Sequence, residues 1–131
     1  MEEIELLLDW IERLREGERI IVVEGKEDKA ALHRLGIDGV IQLNRRPLFK
    51  IVEELVAKER PVIILTDLDK KGKQLYSKLN HDLNQFGVRI DNRFRHFLFR
   101  HTQLRQIEGL DSYLERKNKK GFNPLRFCIL T

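Results

Sequence analysis

Arg19–Leu35 reads RIIVVEGKEDKAALHRL, and a change of periodicity inside that stretch decides the fold. Ile20 to Val23 is a short, β-branched apolar run closed by Glu24 and Gly25, as a buried strand requires. From Glu27 onward Ala30, Ala31 and Leu35 recur at helical spacing instead. A strand therefore feeds a helix. The same unit recurs as Val40–Leu43 followed by a helix near Pro47–Lys58, and again as Pro61–Thr66 followed by a helix near Lys71–Phe86. Three β-α units in series predict a parallel sheet, because parallel neighbours need a crossover between them. Pro47 suits the first turn of its helix and Gly87 the residue just past the end of the third.

Outward from this core, Ile4, Leu7, Leu8, Ile11 and Leu14 predict an amphipathic helix over about residues 2–16, ending at Gly17. Its many acids read as a solvated outer face. His96–Arg100 (HFLFR) is expected as a fourth strand, and Gly109–Lys117 as a closing helix through Leu110, Tyr113 and Leu114. From Asn118 the chain turns basic and then apolar, which fits an edge strand, a partner-binding segment or a frayed end equally well. The expectation is one domain over 1–131, with a core at about 18–100 and a C-terminal helix and tail at about 107–131.

At 131 residues the chain is long enough to bury a sheet between two helix layers. Apolar residues make up 41% and charged residues of both signs 35%, a soluble globular balance, and the net charge of +4 inclines the surface toward polyanions. Cys128 is the single cysteine, which leaves no internal disulfide and no Cys/His zinc pattern; a reducing cytoplasm is the expected location. The start is acidic and lacks a basic leader region, and no apolar run approaches the roughly 18–20 residues that span a bilayer. The histidines show no spacing that calls for a transition metal. Oligomeric state is not legible.

Ligands of parallel α/β sheets bind beyond the carboxyl ends of the strands. Glu24 and Asp67 both fall there, on strands that would lie about 4.8 Å apart if adjacent, and Asp69 follows two residues after Asp67. Each has an ordinary reading: Asp69 as a helix cap, Glu24 or Asp28 as compensation for a helix dipole. Their conjunction at one sheet edge, as E-G-x-x-D and D-x-D-x-x-G, favours a shared divalent cation. Mg²⁺ commonly uses one or two carboxylates and completes its shell with water and phosphate.

VVEGKEDKAAL (Val22–Leu32) and IILTDLDKKGKQL (Ile63–Leu75) resemble the two signature motifs of the Toprim superfamily, which includes topoisomerases, bacterial-type primases, overcoming-lysogenization-defect nucleases and recombination-mediator proteins. The resemblance spans roughly Glu18–Arg100. Its first motif is most similar to that of the bacterial ribonuclease that matures 5S ribosomal RNA, and the brevity is similar to small stand-alone, primase-like Toprim proteins of archaea and bacteria. It implies a three-layer, Rossmann-like α/β fold with a mostly parallel four-stranded sheet flanked by helices. It also implies catalytic and metal-binding roles for Glu24, Asp67 and Asp69, with Mg²⁺ as cofactor and Mn²⁺ as a substitute. Gly25 and Gly72 match the accompanying turn glycines. Leu68 stands where many relatives carry proline. A haloacid-dehalogenase reading fails because Lys71 occupies the position of the required threonine, and a receiver reading fails for want of an acidic pair after the first strand.

The expected partner is RNA or DNA, reached in a larger protein complex. Candidate contacts are Lys26, Arg45, Arg46, Lys70 and Lys71 around the acidic motifs, and Arg93, Arg95 and Arg100 in the basic stretch near the expected fourth strand. The leading expectation is Mg²⁺-dependent phosphodiester cleavage. A non-catalytic nucleic-acid-binding adaptor and primase-like nucleotidyl transfer are the alternatives, so the sequence leaves open whether the chain is an enzyme.

Overall fold

The structure, a computed structural model, describes residues 3–117. Its elements in chain order are α1 (Glu3–Glu16), β1 (Ile20–Val23), α2 (Lys26–Arg34), β2 (Val40–Gln42), α3 (Leu48–Lys58), β3 (Val62–Ile64), α4 (Lys70–Gln85), α5 (Arg93–His101), a single 3₁₀ turn (Ile107–Gly109) and α6 (Leu110–Lys117). The tail from Asn118 onward, with its basic and apolar residues, lies outside the described residues.

The sheet is parallel with strand order β2-β1-β3. Ile21 sits opposite Val40 on one side and Ile63 on the other, so β1 is central, and all four of its residues are buried. A strand with helices over both faces has no wet side, which is why IIVV carries no polar alternation. The faces sort by parity. Ile21, Val23, Ile63 and Leu65 pack with α1, α2, α5 and α6; Ile20, Val22, Val62 and Ile64 pack with α3 and α4. The result is the three-layer Toprim-type α/β architecture that the motifs imply.

The fourth strand is the correction. His96–Arg100 lies inside α5, and in its place an isolated parallel bridge joins Val62 to Ile90 at the open edge of β3. Phe94 and Leu98, four residues apart, are the buried pair of this helix. Phe97 stacks on Trp10, whose indole N–H donates to the Phe94 carbonyl at 2.8 Å. The phenylalanines of this stretch therefore serve packing, on a helical period instead of a two-residue one.

Candidate metal centre

Glu24 follows the carboxyl end of β1, and its backbone carbonyl accepts the Asn44 N–H at 2.9 Å, which anchors the loop after β2. Its side chain turns the other way: Oε2 accepts the backbone N–H of Asp67 at 2.8 Å. The ends of β1 and β3 are thus tied together by a carboxylate. Asp67 Oδ1 in turn accepts the Ile107 N–H at 2.9 Å, bringing in the 3₁₀ turn.

Behind Asp67 the packing is tight. Thr66 is fully buried and its Oγ1 donates to the Gly72 carbonyl at 2.7 Å. A Cβ placed on Gly72 would lie 2.0 Å from the Asp67 carbonyl oxygen, so only glycine lets the first turn of α4 rest on that peptide. Asp69 caps the same turn, its Oδ1 accepting the Gly72 N–H at 2.7 Å.

Electrostatics mark Asp67 as the unusual acid. Burial first, then the charges of Asp28 and Glu24 and a carboxyl–carboxylate hydrogen bond to Glu24, push it up to about 7 against the pull of the Ile107 N–H. Asp28 is also raised, by burial and then by Glu24 and Glu108, although its Oδ2 accepts the Gly25 N–H at 3.0 Å. Asp28, which the sequence places at this sheet edge without a metal role, and Glu108, which it does not single out, are therefore members of the acidic cluster. The E-G-x-x-D spacing was the signal for Asp28, and its capping bond agrees with the helix-start reading as well. Glu108 lies 41 positions beyond Asp67 and carries no local signal.

A cleft of about 450 Å³ opens over this cluster, bordered by Glu24, Asp28, Asp67 and Glu108 and by Lys26, Arg45, Arg46 and Lys71. Asn44 and Arg45 hold left-handed backbone (φ 46° and 61°) at its rim. Arg46 is paired with Glu54 at 2.7 Å. Lys70 is exposed at the start of α4 and faces away with Lys73 and Gln74. Three candidate contacts lie elsewhere. Arg93 pairs with Asp91, whose backbone is bonded to Val62 at the amino end of β3, the edge opposite Glu24. Arg100 is exposed on α5, beside His96. Arg95 is spent internally: Nε and Nη2 donate to the Thr66 and Asp67 carbonyls at 3.2 and 2.9 Å, and its guanidinium lies over the Tyr76 and Phe99 rings. Burial lowers its pKa, and it braces the acidic loop from behind.

Residues 18–92 match the Toprim domain as a family. The chain belongs to the Toprim family. Its similarity extends over nearly the whole chain to UPF0292 proteins of archaea. The one from Methanocaldococcus jannaschii is 35% identical over 88% of this chain and 95% of its own length, and the one from Pyrococcus horikoshii is 40% identical over 87% and 88%. A solved structure of a protein from Aquifex aeolicus matches with a TM-score of 0.73 and 36% identity, covering 78% of this chain and 95% of that one. Toprim domains generally bind Mg²⁺ and serve nucleic-acid chemistry.

The Toprim acids fit such a cation in part. Glu24 and Asp67 form a mutually repelling, all-oxygen pair that raises the Asp67 pKa to about 7, a conflict of the kind that a divalent cation relieves. Asp69, expected at the same mouth, is set apart. It is exposed, caps α4, and borders a neighbouring cleft with Gln103, Arg105 and Gln106. Among the described residues no three acidic, histidine or cysteine side chains converge as a ready-made cage. A cation held by the pair alone would keep most of its water, a ligand set that Mg²⁺ tolerates. No described helix is long and apolar enough to cross a membrane.

Proposed function

We propose that this Toprim protein carries out Mg²⁺-dependent phosphodiester cleavage on RNA or DNA, within a larger complex, with Glu24 and Asp67 as the working pair. One observation carries the reading: two carboxylates that cannot both ionise without cost sit at the carboxyl edge of a parallel sheet, in a cleft rimmed by Lys26, Arg45 and Lys71. Mg²⁺ or Mn²⁺, held by Glu24 and Asp67, would supply charge neutralisation at the phosphate and acidify a bound water. In this reading the Glu24 carboxylate would either help hold the metal or take the proton of an attacking water, and Lys71 and Arg45 would hold the phosphate oxygens. Arg95 and the Ile107 N–H keep the Asp67 loop in place during the reaction.

The test incubates the purified protein with structured RNA, single-stranded RNA and DNA in Mg²⁺ or Mn²⁺. Metal-dependent products are expected, with Glu24→Gln and Asp67→Asn slowing cleavage by about 10²-fold or more. Unaltered substrates across the panel, with metal binding confirmed by calorimetry, refute cleavage. The separation of Asp69 favours a second reading, a binding adaptor that keeps the site without turnover. Salt-dependent binding indifferent to Glu24→Gln, with no product, would support it. Template-directed incorporation of nucleotides would instead reveal a primase-like transferase.

A further inference from the structure

The acidic cleft has the wrong charge to hold a polyanion by itself. Glu24, Glu27, Asp28, Asp67 and Glu108 face four bases there, and one of those bases, Arg46, is already paired with Glu54. A strand of phosphates needs a cationic footing beside it. The neighbouring cleft provides one: it is larger, about 1090 Å³, and sets Arg105 and Arg116 against Asp69 alone. Gln106 borders both clefts, so the two concavities adjoin.

The walls of this second cleft are chemically suited to a nucleotide strand. Arg105 fixes one guanidinium nitrogen on the Leu104 carbonyl at 3.0 Å, while its own carbonyl accepts the Leu68 N–H at 2.8 Å, which joins this wall directly to the segment between Asp67 and Asp69. Arg116 extends over the Tyr113 ring, 6.0 Å from its centroid. Gln103 and Gln106 are exposed amides able to donate and accept in the plane of a base edge. The volume lies at the upper end of the roughly 300–1,000 Å³ of a small-molecule site. Single strands are bound in positively charged grooves that track the backbone, with arginine contributing. Gln103, Arg105, Gln106, Tyr113 and Arg116 lie outside the segment that matches the Toprim domain, and Asp69 within it.

We infer that the cleft formed by Gln103, Arg105, Gln106 and Arg116 beside Asp69 binds a single-stranded segment of RNA or DNA, flanking the phosphate held at Glu24 and Asp67. This rests on the phosphodiester reading for what happens next door but not for the binding itself.

The experiment measures fluorescence anisotropy of labelled oligo-uridine, oligo-thymidine and a blunt hairpin with the full chain in EDTA, which removes any metal from the acidic pair. Wild type is expected to bind the single strands at least tenfold more tightly than the hairpin. The RNA and DNA arms report which sugar is preferred. Arg105→Glu and Arg116→Glu should each weaken single-strand binding at least fivefold, and the milder Arg105→Gln and Arg116→Gln should lower the slope of log affinity against log salt by about one. Thermal melting and calorimetric Mn²⁺ binding confirm that each variant retains its fold and its metal pair. Strand binding that survives Asp67→Asn while turnover is absent everywhere overturns cleavage and supports this cleft. Wild-type affinity in both arginine variants, or a hairpin bound as tightly as the single strands, overturns the cleft and leaves cleavage standing.

Discussion

Replacing Gly72 with alanine probes how closely the start of α4 rests on the Asp67 peptide. The added Cβ falls 2.0 Å from the Asp67 carbonyl oxygen, 2.6 Å from its carbonyl carbon and 2.8 Å from its nitrogen, all main-chain atoms that no side-chain rotation can clear. To reach an ordinary separation of about 3.5 Å the start of α4 has to retreat by roughly 1.5 Å. Such overpacking costs about 1–3 kcal/mol by itself. The retreat also strains two bonds of 2.7 Å, from Thr66 Oγ1 to the Gly72 carbonyl and from the Gly72 N–H to Asp69 Oδ1. Losing a cap costs about 1 kcal/mol, and leaving a fully buried hydroxyl unsatisfied about 1–3 kcal/mol. Partial relaxation keeps these from adding in full, so Gly72→Ala should lose roughly 3–5 kcal/mol out of the about 5–15 typical of a folded protein. Urea titration with linear extrapolation measures this, and the melting temperature should drop by roughly 10–20 °C. A variant within about 1 kcal/mol of wild type would refute the claim that the α4 start rests immovably on the Asp67 peptide.

Further outcomes follow from the same site. Because the folded protein holds Asp67 at about 7, above its ordinary carboxylate value, the stabilisation from its neutral form is complete below about pH 4 and is lost as pH rises through about 7. Metal-free protein should weaken by on the order of 1–2 kcal/mol across that window once the half-exposed side chain is discounted for solvent screening. Asp67→Asn should flatten the profile, and Mg²⁺ added at pH 8 should raise the wild-type melting temperature; an unchanged pH profile in Asp67→Asn counts against the assignment. Arg95→Met leaves the Thr66 and Asp67 carbonyls without their donors, so a loss of about 2–3 kcal/mol is expected in denaturant melts, partly restored by lysine. Leu55→Ala, at a fully buried site of α3, should cost about 2–5 kcal/mol in the same assay. A cost under 1 kcal/mol there would place α3 off the sheet.

Where periodicity and punctuation agree, as in IIVVEGKEDKAAL, the sequence reads directly onto β1 and α2, and the same holds for α3 and α4. The parallel sheet follows from those repeats. HFLFR failed because a five-residue run fits both periods. What decides it is Phe94 one turn before Leu98 and a Trp10 indole waiting for the Phe94 carbonyl, a contact across 84 positions. The site shows the same division. Glu24 and Asp67 are legible because strand ends address them to one edge. Asp28, Glu108 and the inward turn of Arg95 depend on how α2, the 3₁₀ turn and α5 pack, which no local pattern carries. Asp69 reads correctly as a cap, yet its exclusion from the pair depends on which way the α4 start leans.

The two sides of the sheet differ in how much of their cover lies in the segment that matches the Toprim domain. α3 and α4, which cover one side, lie within the segment shared across the Toprim family; of the four helices over Ile21, Val23, Ile63 and Leu65, only α2 does. The shared segment is in that sense a portable half-clad unit. Cut to residues 18–92, it would keep only α2 over its aliphatic floor, and the structure covers the rest with α1 from one flank and α5 and α6 from the other. In other chains built on the same segment, whatever roofs this floor is the place to look for divergence, because here the roof serves the strand ends as well as folding: it supplies Arg95 and the Ile107 N–H that hold the Asp67 loop.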